Sequence, residues 1–409
     1  MKTINKLEMV GVVGIKACRR IEAVDSRLGA ADSRLKQKAT NYRYRAGLWL
    51  IALVLQILLV TAFAAQGVLK PIKGGATSRV QVGNLKLSPL GVGTWAWGNR
   101  FLWQYKEEDD VELQKTYDYV VKQGINWFDT ADSYGTGSLT GQSEKLLGSF
   151  GRAYSSKRGK ESSALIATKL APFPSRIGQD SMYSAGLESI SRLQQPIDIV
   201  QLHWPPFWVA PQVNDWFTKE YLTAFERLVE EKKATQVGVS NYGPRTLRQV
   251  AAVGRNLRAP VYSNQVQFSL LSRNPIQNGL DEVCAELKIQ PIGYSPLALG
   301  LLADKYKFPN RLPAGPRGLL FRETLPKIEP LLAVLRVVAS TRGKTVAQVA
   351  LNWNLQKGFL LLVGVRSVEQ AKENLGALGW SLSGAEVDEI DRAADRCRVS
   401  LVQNSFQTA

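Results

Sequence analysis

Cysteine and histidine are scarce in this 409-residue chain. The three cysteines, Cys18, Cys284 and Cys397, lie far apart, which excludes a disulfide framework and any cysteine-based metal motif. With His203 as the single histidine, a zinc or iron centre built from histidine clusters is excluded too, and no metal is expected. A dinucleotide fingerprint is also missing. "GTGSLTG", Gly135 to Gly141, has its third glycine one place late and does not join a strand directly to a helix, so a doubly wound nucleotide-binding sheet is set aside. The net charge is +17, yet no basic run or stripe marks the body of the chain. Residues 1–75 hold 13 Lys+Arg against 4 Asp+Glu, about half of the excess. A nucleic-acid partner is therefore not expected.

What is present divides at about residue 77. Residues 1–77 read as an extension and residues 78–409 as a catalytic body. The extension is basic at first and then carries "AGLWLIALVLQILLVTAFAA", Ala46 to Ala65, broken only by Gln56. At helical rise that length just spans a bilayer core. It ends in "AFA", Ala62 to Ala64, a small-x-small pattern of the signal-peptidase type. A cleaved targeting segment, a retained anchor making membrane contact through 46–65, and a buried core helix all remain open. "KPIKGGATS", Lys70 to Ser78, reads as a linker.

From Ser78 a short hairpin, "RVQVGNLKLS", turns at Gly83-Asn84. Apolar strand-like runs then alternate with amphipathic helical stretches. The strands are "GVGTW", "NWFDTA", "ALIATK", "IDIVQLH", "TQVGVS", "VYSNQVQF", "QPIGYS" and "LLLVGV". Helices are expected at Asp109 to Lys122, Tyr221 to Lys232 and Pro244 to Val253, the last opening on a proline that suits a first helical turn. Near-continuous apolar strands suit parallel pairing with both faces buried. The pattern predicts an α/β protein, a (β/α)8 TIM barrel with an N-terminal hairpin and a C-terminal helix.

A barrel puts chemistry at the C-terminal ends of its strands. Three neighbouring strands carry Asp129, Lys169 and His203 there, and Tyr134 follows the first on its loop. Each alone has an ordinary explanation: a capping Asp, a solvated Lys, a packing Tyr, a satisfied core His. Four on adjacent strand ends point to function. Asp129 would keep Lys169 charged, Lys169 would lower the Tyr134 phenol pKa, and Tyr134 would act as general acid. His203 would hydrogen-bond and orient a carbonyl oxygen. The set polarises C=O and delivers a proton but supplies no electrons, so a hydride donor must come from a cofactor. A Schiff base on Lys169 needs a neutral amine, which a neighbouring Asp129 opposes.

"FDTADSYG", "ATK", "QLHW", "GVSNYG" and "ENLGAL" resemble the aldo-keto reductases, in sequence and in order, from about Ser78 to the C-terminus. The resemblance implies the tetrad Asp129, Tyr134, Lys169 and His203, and NADPH as cofactor. It implies that Ser240, Asn241 and Gln265 hold the carboxamide and that Tyr294 stacks on the nicotinamide. Ser295, Leu297 and Gly300 would line the pyrophosphate. Arg366 would meet the 2′-phosphate, with Gln370, Glu373 and Asn374 around the adenine, and Thr94, Trp95 and Gly364 complete the set. A guanidinium matches phosphate bidentately, which favours NADP over NAD.

Further stretches, "GTWAWGNRFLW", "DSYGTGSLTGQSE", "LPAGPRGLLFR" and "LVQNSFQT", are similar to a plastid branch of the family in plants that reduces a heteroaromatic aldehyde. Plastid targeting by the extension and a monomeric enzyme are the matching expectations. Trp97, Trp204 and Trp208 would wall the pocket for a flat aldehyde. Two other readings stand beside this one: a reductase of different carbonyls, and a channel-subunit-like NADP-binding protein with little turnover.

Overall fold

The computed structural model describes residues 68–158, 164–206, 211–397 and 399–401. The apolar run 46–65 and Trp208 lie outside the described residues. Among those described, no helix is long and apolar enough to cross a membrane.

Eight parallel strands close a barrel: β3 (Leu90–Gly93), β4 (Trp127–Ala131), β5 (Leu165–Leu170), β6 (Ile197–Leu202), β7 (Ala234–Ser240), β8 (Val261–Gln267), β9 (Gln290–Tyr294) and β10 (Leu360–Gly364). They pair in chain order, and β10 closes on β3. Every residue of β4 is buried, as a strand between a filled interior and a helix layer requires. Around the strands run α1 (Asp110–Lys122), α2 (Gln142–Arg158), α3 (Gly178–Leu193), α4 (Pro211–Glu230), α5 (Pro244–Asn256), α6 (Leu280–Leu287), α7 (Pro316–Arg342), α8 (Val346–Gln356), α9 (Val368–Leu375) and α10 (Gly384–Cys397).

The helices bury what their periodicity dictates. In α1 that face is Leu113, Thr116, Tyr117 and Val120. Tyr117 stacks on Phe128 of β4 with ring centroids 4.6 Å apart. Burying a side chain such as Phe128 is worth about 1.5–3 kcal/mol. One glycine is dictated by contact. A Cβ on Gly91 of β3 would fall 2.3 Å from the Trp127 ring, so any side chain there would drive the two strands apart.

The N-terminal end of the barrel is plugged. Hairpin β1 (Val80–Val82) and β2 (Leu85–Leu87) pair antiparallel. Asn126 Nδ2 donates to Lys86 O at 2.8 Å, and Asn84 N donates to Gln236 Oε1 at 2.9 Å. The stretch expected as a linker belongs to this floor as well. Ile72 is buried and its N–H donates to Leu355 O at 2.9 Å, while Gly379 N donates to Gly74 O at 3.0 Å. Backbone pairing with the last turn of α8 and with a distant loop overrides the Lys-Gly-rich composition that suggested a free segment.

Candidate active site

Strand register sets the first surprise. Asp129 does not end its strand. β4 runs on to Ala131, and the carboxylate is buried inside the barrel, 2% exposed. β5 likewise continues one residue past Lys169, and His203 lies just beyond β6. Lys169, 1% exposed, pairs with Asp129 and donates from Nζ to Thr130 O at 2.9 Å. Gln201 and Gln265 donate to Asp129 Oδ2 at 3.0 and 2.8 Å. One buried carboxylate thus receives a cation and two amides from three other strands, which is what keeps a buried charge tolerable. The role of Gln201 was missed in the sequence. Its signal was a lone amide in an apolar strand that had to be buried.

Above this pair sit Tyr134 and His203, both half-buried, with ring centroids 5.9 Å apart. Lys169 Nζ stands 4.9 Å from the Tyr134 ring centroid. The expected lowering of the phenol pKa is overturned. Burial, then the charges of Asp129 and Asp132, hold the Tyr134 phenol well above its ordinary value. Asp129 draws on the Lys169 charge, so the cation does not outweigh burial and the two carboxylates at the phenol. Burial also pushes the Lys169 amine below its usual value, against the pull of Asp129. Tyr134 therefore keeps its proton and remains a donor.

Burial, with the Lys169 charge second, holds His203 well below the usual histidine value. Its Nδ1 is buried and makes no hydrogen bond among the described residues. A neutral imidazole can donate to a carbonyl without adding charge. A histidine depressed in this way contributes stability that is present above its unfolded value of about 6.5 and lost as pH falls below it. We expect wild type to lose up to about 1.4 kcal/mol per pH unit below about 6.5, relative to His203→Gln, in denaturant titrations. Parallel pH profiles for the two proteins would contradict this.

The nucleotide-side residues divide. Asn241, at φ 68°, donates to His203 O at 2.9 Å and to Ser240 Oγ at 3.1 Å, and accepts from Tyr294 OH at 3.0 Å. Ser240 Oγ donates to Gln265 O at 2.8 Å. Ser240, Asn241, Gln265 and Tyr294 thus form one connected group on the rim, although the Gln265 amide is committed to Asp129. After Tyr294 the chain holds Ser295, Ala298, Leu299 and Gly300 at positive φ. Leu297 packs partly on the core. Arg366 is exposed beside a cleft of about 140 Å³ lined with Ala96, Tyr105, Glu112 and Gln370, and its Nη1 donates to Trp103 O at 2.5 Å. Nothing stands within 4 Å of a Cβ placed on Gly364, so the approach there is open.

Three of the expected cofactor residues already have partners or packing within the protein. Thr94 is fully buried, and its hydroxyl donates to Asp129 O at 3.0 Å and accepts from Ser143 Oγ at 2.7 Å, stitching β3 to β4. Glu373 accepts from the Thr345 hydroxyl at the start of α8. Asn374 is buried against the inner surface of α9, lining a small void with Leu90 and Val120.

The aromatic wall is corrected too. Trp97 is 0% exposed and packs on Phe150 at 5.6 Å, with its Nε1 donating to Val365 O at 3.0 Å. A tight turn, with Trp97 N donating to Thr94 O at 2.8 Å, folds it back into the core and away from any substrate. Trp204 does reach the rim, 4.6 Å from the His203 ring. Trp95 is exposed and meets Trp103 edge-on at 6.1 Å. Phe173, 37% exposed, joins Trp204 edge-on at 6.0 Å and was not anticipated.

Comparison with known proteins agrees with this geometry. The Aldo/keto reductase family profile matches residues 89–395. This chain belongs to that family. It is an oxidoreductase, and a reductase of aldehydes or ketones in class. It is 44% identical over 334 residues to a chloroplastic pyridoxal reductase of Arabidopsis thaliana, covering 81% of this chain and 89% of the relative. An uncharacterized oxidoreductase of Mycobacterium tuberculosis is 35% identical over 318 residues, covering 76% of this chain and 90% of that one. A glycerol dehydrogenase from Gluconobacter oxydans shares the fold, with a TM-score of 0.61 at 24% identity over 81% of this chain and 100% of its own.

Proposed function

We propose that this aldo-keto reductase reduces pyridoxal to its alcohol with NADPH. The observation that carries the reaction type is the buried Asp129–Lys169 pair beneath Tyr134, with His203 on the same rim. The substrate rests on the 44% identical pyridoxal reductase and on the Phe173–Trp204 aromatic pair beside His203, which suits a flat heteroaromatic aldehyde.

The residues fit a nicotinamide nucleotide. Ser240 and Asn241 present a hydroxyl and an amide suited to the carboxamide, and Tyr294 presents a ring beside them. The left-handed run from Ser295 to Gly300 presents successive backbone groups suited to a diphosphate. Arg366 is the exposed guanidinium for a 2′-phosphate, tethered by Nη1 to Trp103 O, and Gln370 accepts from its backbone N–H at 2.8 Å. The bound nucleotide supplies the hydride. His203 orients the carbonyl oxygen, Tyr134 gives it a proton, and Lys169 stabilises the phenolate that results while Asp129 holds the amine in place.

The proposed assignment has the N-terminal extension acting in plastid targeting and takes its support from the chloroplastic relative. Purification of the native protein from plastids and sequencing of its N-terminus tests the location. A full-length mature chain outside plastids would sink it. NADPH oxidation across a panel of aldehydes tests the reaction, and pyridoxal should give the highest kcat/KM. Absence of turnover with every aldehyde would leave a nucleotide-binding protein instead. Arg366→Ala should weaken NADPH about tenfold or more, from loss of a charge-assisted hydrogen bond, and NADH by less than about twofold. Equal losses would remove the 2′-phosphate assignment.

A further inference from the structure

A second ion pair lies beside the tetrad, between Asp132 and Arg176. Asp132 is three residues past Asp129 and two before Tyr134. Its side chain is 2% exposed, and that of Arg176 is 19% exposed. Asp132 N donates to Lys169 O at 3.0 Å, and Asp132 Oδ2 accepts from Ala171 N at 3.2 Å as well as from Arg176. Arg176 Nη1 also donates to Ala171 O at 2.7 Å, and Arg176 O accepts from Tyr221 OH of α4 at 2.7 Å. The β4 loop is thereby pinned to the β5 loop at the point where Tyr134 turns onto the rim.

The same guanidinium reaches the aromatic wall. Its carbon stands 5.2 Å from the Phe173 ring centroid. Phe173 meets Trp204 edge-on, and Trp204 packs on His203. A continuous chain of contacts therefore runs from the backbone before Tyr134, through Asp132, Arg176, Phe173 and Trp204, to His203. It links the loops after β4, β5 and β6, which bring the two rim groups of the tetrad together. Asp132 Oδ1 is buried without a partner among the described residues, so the carboxylate depends on Arg176 and the Ala171 N–H at its other oxygen.

We propose that Arg176, anchored on Asp132, is a positioning residue for carbonyl reduction. It holds the Tyr134 turn and the Phe173–Trp204 wall in one register, so that a flat aldehyde meets the phenol and His203 together. This inference rests on the reductase reading above. A guanidinium suits the task because it pairs in plane with a carboxylate and stacks on a ring at once, which an ammonium does not.

The experiment measures kcat and KM for an aromatic and a small aliphatic aldehyde, nucleotide Kd and thermal midpoint, in Arg176→Met, Arg176→Lys and Phe173→Ala. Arg176→Met should lower kcat about tenfold with both aldehydes, because the phenol is displaced from the carbonyl oxygen. It should raise KM about three- to tenfold for the aromatic one alone, as the wall loosens. Nucleotide Kd should stay within about twofold. Arg176→Lys should recover most of the kcat but not the KM, since it restores the charge and not the stacking. Phe173→Ala leaves the ion pair intact and should reproduce the KM effect without the kcat effect. A lower thermal midpoint with wild-type kcat and KM per folded molecule would show a merely structural pair and overturn the inference. Tyr134→Phe in the same assay separates the two levels. If it is fully active, the proton-donor role of Tyr134 fails and this inference with it, whereas wild type without turnover on either aldehyde fails the reductase reading itself.

Discussion

Tyr134→Phe should abolish nearly all carbonyl reduction, by about 10²–10⁴-fold in kcat, while NADPH binds within about twofold of wild type. The reason is the lack of a second proton donor of the right kind. Lys169 is buried and donates to Asp129 and Thr130 O, so two of its protons are committed within the barrel. His203 is held neutral and can only lend a hydrogen bond. The Tyr134 phenol, held well above its ordinary value, retains its proton through the neutral range. Deleting that oxygen leaves the developing alkoxide with a hydrogen bond and no proton. The ring remains, so its packing against His203 and the cation above Asp129 should survive. Single-turnover measurements with saturating NADPH check the point. A variant with more than about a tenth of wild-type turnover would transfer the proton role elsewhere.

Lys169→Met is the second large effect, and it falls on stability as well as rate. In wild type Asp129 receives a cation and two amides. Without the ammonium, a carboxylate 2% exposed is left with Gln201 and Gln265 alone. Breaking a buried pair on one side costs about 3–5 kcal/mol, a large share of the 5–15 kcal/mol that holds a domain together. Turnover should vanish, because nothing then stabilises the Tyr134 phenolate. Asp129→Asn combined with Lys169→Met removes the orphaned charge, so stability should return by about half or more while activity does not. Urea midpoints check this. A double variant no more stable than Lys169→Met would mean that packing, not the unpaired charge, sets the loss.

The alternation of strands and helices was legible because buried parallel strands write themselves as apolar runs, and each of the eight lies within one or two residues of its expected place. The family's motifs marked Asp129, Tyr134, Lys169 and His203 by order alone, and the structure gathers these four side chains together. Less legible was anything that depends on side-chain direction. Asp129 was read as a strand end, but its period-2 position inside β4 puts it in the barrel interior, where Gln201 and Gln265 find it. Trp97 lies in a run of tryptophans that looks like one wall. Only the contact with Val365, 268 positions away, shows that it belongs to the core. Phe173 had no signal at all, since a phenylalanine in a loop is defined by its neighbours. The sign of the Tyr134 shift required knowing how completely Asp129 consumes the Lys169 charge. "KPIKGGATS" had the composition of a linker, and two backbone hydrogen bonds, to the end of α8 and to a distant loop, made it part of the floor.

That floor has a practical meaning. Ile72 and Gly74 bring the chain into the barrel beside Leu355 and Gly379, at the N-terminal ends of the strands, whereas Tyr134 and His203 stand at the other pole. The barrel is polarised along its axis, with the packing of Ile72 and Gly74 at one end and the chemistry at the other. A substitution at Ile72 or Gly74 therefore disturbs the pole away from the substrate and leaves the mouth of the barrel as it is.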